Sequence, residues 1–200
     1  CALPICFVTV GSQMPDHRKH SRLLYIMIHP KFKEWAELYG KDAFFGCDAT
    51  YSVNTHEVPL YTIMVVDNSG HGQPIGYVMT EFECEVSLTE ALVLFKEYTG
   101  NVIPEFVMTD KDQAEYTAWK NVYGCRLLLC QWHVLEAMWR HLNHRGMIKK
   151  VYKKIMTWCN FLVYARSKEK YEYVLECARK CPIWNRHYAD YFNTNWEPCV

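Results

Sequence analysis

The eight residues Phe-Phe-Gly-Cys-Asp-Ala-Thr-Tyr, numbered 44–51, decide how the rest of this 200-residue chain is interpreted. Their apolar first half is typical of a buried β-strand, which places Asp48 in the middle of a strand. A carboxylate inside a sheet needs a partner or a metal ion, because an unpaired buried charge is unfavourable. Asp48 is therefore a candidate site residue. The alternative is a strand-end aspartate that faces water.

Further strand-like runs surround this one. Residues 22–28 precede it, the run itself extends over 43–53, and two more strands are predicted at 59–67 and 74–84. Turn residues separate them, most clearly in the polar stretch 67–72. Because short connections join antiparallel neighbours, the three strands from residue 43 onward are predicted to form an antiparallel meander.

Two helices are predicted beside these strands. Pro30 begins a short amphipathic helix that ends at Gly40. Its apolar face consists of Phe32, Trp35 and Leu38. A capping box at residues 87–90 begins the second helix. The apolar stripe of that helix consists of Leu88, Ala91, Leu92 and Phe95.

After Gly100 the predicted pairing changes from antiparallel to parallel. A strand at 102–109, a helix at 111–123 closed by Gly124, and a strand at 125–130 form a strand–helix–strand unit. A connection of this length joins two parallel strands by a right-handed crossover. The fold class is therefore α/β, with a mixed sheet in the order β-β-β-α-β-α-β.

Asp110 lies where the fourth of these strands ends and a helix begins. In α/β sheets, functional groups collect at the carboxyl ends of strands. If the strands that carry Asp48 and Asp110 pair, two carboxylates lie side by side and can bind Mg²⁺, which prefers oxygen ligands. The alternative is an N-cap role, since Asp110 with Gln113 at the third helical position is an acceptable helix start.

The chain from residue 131 onward is predicted to be helical. Apolar residues recur at helical spacing, first at Trp132, Leu135, Trp139 and Leu142 before Gly146, then at Ile148, Val151, Ile155, Cys159 and Leu162, and then at Tyr171, Leu175 and Ala178. This part of the chain is also basic: residues 126–200 contain 13 Lys and Arg against 6 Asp and Glu, whereas residues 1–125 contain 9 against 16. Such asymmetry points to a polyanion bound by the basic half, and solvated helix faces are the alternative.

Four lysines concentrate this charge. Lys149, Lys150, Lys153 and Lys154 recur at i, i+1, i+4 and i+5, so they share one side of a helix. A phosphate backbone would relieve the repulsion among their ammonium groups, and we expect this face to bind DNA. The alternative is a solvated face that binds nothing. Nearby Tyr152 and Trp158 are candidates for stacking on an unpaired base or for packing in the core.

Cys130 and His133 follow the fifth strand, three residues apart. Together with Cys125, His141 and His144 they supply enough ligand types for a zinc site. The spacing of a zinc finger is absent, however, so we expect no zinc here. We interpret Cys130 as a buried cysteine and His133 as a polar residue that flanks the site. Most of the ten cysteines lie in apolar runs, which favours reduced thiols in an intracellular protein.

Four motifs in sequence order resemble those of Mutator-like (MULE) transposases, and in particular their domesticated animal relatives, the zinc-finger SWIM proteins. The motifs occupy residues 46–51, 58–61, 108–115 and 129–133. The resemblance covers residues 22–145 well and the helical remainder thinly. It implies an RNase H-like fold and a DDE metal triad, with Asp48 and Asp110 as its first two members and Mg²⁺ as the cofactor.

The third acid of such a triad is where the sequence departs from the family. In the family it follows a long helical insertion in an Asn-Asn-x-x-Glu-like context, and no such stretch occurs before Val200. The triad is then either completed in a longer protein, which a chain that starts at Cys1 leads us to expect, or degenerate. Within the chain Glu136 is the geometric candidate, followed by Glu197.

The resemblance also implies a domain organisation and two alternative functions. An N-terminal flank at 1–21 and an RNase H-like domain at 22–145 precede a basic helical insertion at 146–200. An active protein would be a nuclear, Mg²⁺-dependent enzyme that cleaves DNA and transfers strands. The alternative is a catalytically silent, domesticated module that binds DNA or protein and has a regulatory role. Neither involves a membrane or a small-molecule substrate.

Overall fold

The chain divides into two units, residues 1–130 and 131–200. The computed structural model describes residues 6–7, 24–53, 55, 57–144 and 148–197. Most of the predicted N-terminal flank and Gly146 lie outside these described residues. The division at residue 130 is one of structural units, and the boundary predicted from the sequence at residue 145 stays a prediction.

A mixed sheet forms the centre of the first unit. Its strands are β1 (Cys6–Phe7), β2 (Leu24–Ile28), β3 (Phe44–Thr50), β4 (Leu60–Val66), β5 (Gly72–Thr80), β6 (Phe106–Thr109) and β7 (Arg126–Leu129). They lie side by side in the order β1-β2-β5-β4-β3-β6-β7. Strands β3, β4 and β5 pair antiparallel, which confirms the predicted meander. Strands β6 and β7 pair parallel, which confirms the predicted crossover unit, and β3 pairs parallel with β6.

The described residues of this unit form three helical segments. They are α1 (Pro30–Trp35), which continues into a π-helical turn (Ala36–Gly40), α2 (Glu85–Tyr98) and α3 (Gln113–Tyr123). Helices α2 and α3 contribute to one buried core with the sheet, where Phe45 meets the edges of Phe95 and Trp119 at centroid distances of 6.4 Å each. Gly76 permits this packing, since a Cβ there would collide with the Phe95 ring.

Two details of the predicted helices are wrong. Helix α2 begins at Glu85 with Cys84 as its N-cap, so Ser87 is a buried residue of the first turn and the box at 87–90 does not cap it. Leu38 is exposed, because the turn from Ala36 onward is π-helical and the spacing of an α-helix no longer applies there. The predicted apolar stripe of α2 is confirmed, since all four of its residues are buried.

The second unit consists of helices in its described part, as predicted. They are α4 (Gln131–His144), α5 (Lys149–Val163), α6 (Lys168–Arg179), α7 (Pro182–His187) and α8 (Ala189–Asn195). The predicted apolar stripe of α4 is only partly correct: Leu142 is buried, but Trp132 and Trp139 are exposed, and Met138, which was not in the stripe, is buried. Met138 and Leu142 are four residues apart and share one side of the helix, which lies at the edge of the predicted stripe.

Two further findings concern the described residues alone. None of the helices found there is both long and apolar enough to cross a membrane. None of the cysteines whose side chains are described forms a disulfide bond.

Candidate functional site

The parallel pairing of β3 and β6 determines where the two predicted acids lie. Phe44 lies opposite Phe106, and Gly46 lies opposite Met108. Continuing this register by two residues brings Asp48 opposite Asp110, which follows the last residue of β6. Both side chains are half-buried. The structure therefore places the two predicted acids on adjacent strands at the carboxyl end of a parallel pair.

Asp48 lies on the side of β3 that faces away from the main core. Phe45 and Cys47 are buried against that core. Because successive side chains of a strand point to opposite faces, Asp48 projects from the other face of the sheet. Its neighbour on β4 is Thr62, so ladder pairing with β4 holds the backbone of Asp48.

Asp110 orders the turn between β6 and α3. Its Oδ1 accepts a hydrogen bond of 2.9 Å from the amide of Asp112. Asp112, and not Asp110, is the N-cap of α3, because its Oδ1 accepts a 2.9 Å hydrogen bond from the amide of Glu115. The predicted N-cap role of Asp110 is therefore wrong. The helix begins two residues later than that role requires, and Asp110 stays at the end of the strand.

Glu115 is the last residue of the motif at 108–115, and it was not predicted as a site residue. Its side chain is only 4% exposed and accepts a hydrogen bond from the Thr109 hydroxyl. Burial raises the pKa of Glu115 to about 8; the Thr109 hydrogen bond opposes this rise, and the charges of Asp110, Asp112 and Asp48 add to it. Glu115 is therefore mostly protonated at neutral pH.

The spacing of Glu115 on its helix indicates that it is buried. Glu115 lies three residues before Ala118 and four before Trp119, which are buried on the same face of α3. A glutamate within an apolar helical stripe is an anomaly of the same kind as an aspartate within a strand. The pattern could have identified a buried carboxyl, although its partner Thr109 becomes visible only in the fold.

The region behind the acids carries little charge at neutral pH. Glu115 and Cys47 line a small, largely apolar cavity of about the size of one water molecule, together with Tyr61 and Trp119. Burial and the neighbouring Glu115 raise the pKa of Cys47 well above its ordinary value. Both Glu115 and Cys47 are therefore mostly neutral at neutral pH.

Tyr51 connects the end of β3 to the chain that follows β5. Its hydroxyl donates a 2.5 Å hydrogen bond to Glu83 Oε1. Tyr51 also interacts electrostatically with Asp110, so it lies in the neighbourhood of the acids. This tyrosine belongs to the same sequence motif as Asp48, and its contact ties two ends of the meander together.

Cys130 and His133 belong to different units. The amide of Cys130 donates a 2.8 Å hydrogen bond to the carbonyl of Thr109, directly beside Asp110. Its side chain is half-buried, so the prediction of a buried cysteine is only partly correct. His133 lies in α4, where it meets the ring of Trp132 at a centroid distance of 4.8 Å. A site-flanking role for His133 stays a prediction.

The donors available for a metal ion are carboxylates. Across the described ranges, no group of three or more His, Cys, Asp or Glu is arranged to hold a metal ion. The pair Asp48 and Asp110 fits Mg²⁺ in its chemistry, since Mg²⁺ commonly takes one or two carboxylates and completes its shell with water and phosphate. Glu136 and Glu197 form ion pairs with Arg140 and Arg179 at 2.7 and 2.6 Å, and their role as the third acid stays a prediction.

The four lysines predicted to contact DNA lie on α5 and are all exposed. The helix contains no Asp or Glu, so no acid within it offsets their charge. Tyr152 and Trp158 are half-buried. The face that the spacing predicted therefore exists, and its binding of DNA stays a prediction.

One comparison with known proteins gives a match. Residues 44–137 match the family model of the MULE transposase domain, and a search of curated proteins finds no match. The matched segment begins at the first residue of β3, contains Asp48, Asp110 and Glu115, and ends within α4. The match supports the interpretation of residues 44–137 as a domain derived from a MULE transposase.

Proposed function

We propose that this chain carries a transposase-derived, RNase H-like domain that acts on DNA, with Asp48 and Asp110 as ligands of Mg²⁺. The register of β3 and β6 carries the proposal, because it brings these two acids onto neighbouring strands. The strand order β5-β4-β3-β6-β7, with two antiparallel and then two parallel pairings, is the arrangement expected of an RNase H-like sheet and supports the fold assignment.

The residues around the acids would prepare them for a metal ion. The amide of Asp112 orients the Asp110 carboxylate, and the pairing of β3 with β4 holds the backbone of Asp48. The protonated Glu115 adds no third negative charge behind them at neutral pH. When bound, Mg²⁺ would supply activation of water or a 3′-hydroxyl and stabilisation of the leaving oxygen.

The second unit would supply much of the affinity for DNA. Residues 131–200 contain 12 Lys and Arg against 6 Asp and Glu, and the lysines of α5 form an exposed row without an acid on their helix. Contacts from such a row reach phosphates, so they would bind DNA of any sequence and depend on salt. A nuclear location follows from this proposal.

A second candidate function is a domesticated regulatory module that keeps the scaffold and has lost the chemistry. The observation that favours it is that, in the part of the chain that is described, the acid pair has no third ligand. The resemblance to zinc-finger SWIM proteins belongs to this candidate. Fold alone does not separate the two, because one scaffold can keep binding after catalysis is lost.

Cleavage of a labelled DNA duplex with and without Mg²⁺ separates the candidates. The enzyme predicts cleavage that requires Mg²⁺ and is abolished in both Asp48→Asn and Asp110→Asn. Asp112→Asn is the matched control, because Asn caps a helix as well as Asp does and the substitution leaves the pair intact. Mg²⁺ binding and DNA binding without cleavage would establish the silent module. Cleavage that survives Asp48→Asn would overturn the assignment of the site.

A further inference from the structure

The exposed face of α5 carries aromatic rings in line with its lysines. Phe161 and Tyr164 are each 54% exposed, in the last turn and at the C-cap of the helix. At 100° per residue, Phe161 lies about 20° around the helix axis from Lys150, and between Lys150 and Lys154 in angle. One face of α5 therefore presents cations along its first half and aromatic rings at its end.

These rings are not part of the core of α5. The buried residues of the helix are Ile155, Cys159 and Leu162, which lie on the opposite side. Trp158 meets Phe161 edge-on at a centroid distance of 6.4 Å and limits the movement of its ring from one side. Phe161 has no polar group that water could satisfy, so burying its face against a ligand would be favourable.

A ligand for this face must combine negative charge with flat apolar surfaces. The lysine row is complementary to a chain of phosphates, and exposed rings are complementary to unpaired bases. In a duplex the bases are stacked on one another and offer no face to a ring on the surface of a helix. In a single strand the faces of the bases are accessible, and base–aromatic stacking tolerates any sequence.

We infer that this face of α5 binds single-stranded DNA, with phosphates on Lys149, Lys150, Lys153 and Lys154 and bases on Phe161 and Tyr164. The inference rests on the proposed function and deepens it, because it names the form of DNA that the second unit takes. It assigns stacking to residues that are accessible, and not to the half-buried Tyr152 and Trp158, for which the sequence left stacking and core packing open. The 15-residue helix is about 22 Å long.

Fluorescence anisotropy with the full chain tests this inference. The probes are a labelled 12-nucleotide oligothymidine and a labelled 12-base-pair duplex, both at low salt. The double variant Phe161→Ala/Tyr164→Ala is expected to weaken binding of the oligothymidine by about 10-fold and binding of the duplex by less than about twofold, because only unpaired bases stack on the rings. Phe161→Trp should retain or strengthen binding of the oligothymidine.

Tyr173→Ala is the matched control, since Tyr173 is a 63% exposed tyrosine on α6 that packs beside Lys170. It should change neither affinity. An equal loss for both probes, or no loss for either, would overturn the inference. In that case, duplex binding that is still weakened by replacing all four lysines (Lys149, Lys150, Lys153 and Lys154) with Gln would support the proposed DNA interface without the preference for single strands. Failure of the unaltered chain to bind either probe would overturn both.

Discussion

The two units of this chain place opposite charges by different means. In residues 1–130, acids outnumber bases by 16 to 10, and two of the acids are fixed on adjacent strands by backbone register. In residues 131–200, bases outnumber acids by 12 to 6, and four lysines stand on the exposed side of one helix. The register of β3 and β6 determines the position of one acid relative to the other, whereas the four lysines have in common only that they lie on one face of α5. The first arrangement suits a specific small ligand, and the second suits a long, repetitive one.

The largest expected effect is on the free energy of unfolding, and it distinguishes a buried tryptophan of the first unit from an exposed one of the second. Trp119 is buried beneath the acids, packed against Phe45 and Tyr123, and Trp132 is exposed on α4. Trp119→Ala should lower the free energy of unfolding by about 3–5 kcal/mol, because it leaves a cavity in the core. Trp132→Ala should change it by less than about 0.5 kcal/mol. Urea denaturation followed by circular dichroism measures both, and equal effects would contradict the assignment of the core.

A second test concerns the lysine row. Replacing Lys149, Lys150, Lys153 and Lys154 together by Gln should weaken DNA binding for all sequences alike. The slope of log affinity against log salt should fall by about 3–4, since each phosphate contact contributes about 0.9. The melting temperature should hardly move, because exposed charges contribute little to stability. An unchanged affinity and salt slope would remove α5 as a DNA surface and leave protein partners for this unit.

A third test uses the buried carboxyl of the first unit. The pKa of Glu115 is about 8 in the folded chain against an ordinary 4.5, so between these values the folded state keeps a proton that the unfolded state loses. Its contribution to stability is fully present below about pH 4.5 and is lost as the pH rises to about 8.

The variant Glu115→Gln removes this titration and keeps a polar group beside Thr109. The free energy of unfolding of the unaltered chain, relative to the variant, should fall by about 2–5 kcal/mol between pH 5 and pH 9. Chemical denaturation at several pH values measures the difference. Parallel stability profiles for the two proteins would show that Glu115 is ionised in the folded state.

A smaller effect is expected at the start of α3. Asp112→Ala removes the N-cap and should lower the free energy of unfolding by about 1 kcal/mol, whereas Asp112→Asn should change it by a few tenths. Asp110→Asn leaves this cap in place and should resemble Asp112→Asn in stability. A larger loss for Asp110→Asn than for Asp112→Ala would restore Asp110 as the residue that begins the helix.

The sheet was predictable from sequence because its signals are local. Alternation and short turns identify β3, β4 and β5, and the length of the connection through α3 requires parallel pairing. The closeness of Asp48 and Asp110 depended on a third fact, the pairing of β3 with β6, which the sequence left open. Their use as metal ligands does not follow from this pairing, since it depends on groups beyond the strand pair.

Helix starts and exposed faces were less predictable because several residues meet the same local rule. Ser87 and Cys84 both precede the apolar stripe of α2, and only the packing of the first turn selects Cys84 as the cap. In α4, two apolar stripes compete, and tertiary contacts bury Met138 and leave Trp132 in solvent. The neutral state of Glu115 likewise depends on burial and on Thr109, which lie outside the helix pattern.

The most direct test of the central claim is Mg²⁺ binding by Asp48→Asn, Asp110→Asn and the double variant, measured by isothermal titration calorimetry. If the two acids form one site, each single substitution removes most of the binding and the double variant loses little more, because residues that share a ligand are not additive. Asp112→Asn should bind Mg²⁺ as the unaltered chain does. Binding that persists in the double variant, or independent and additive losses from the two single substitutions, would contradict the claim that Asp48 and Asp110 hold one metal ion together.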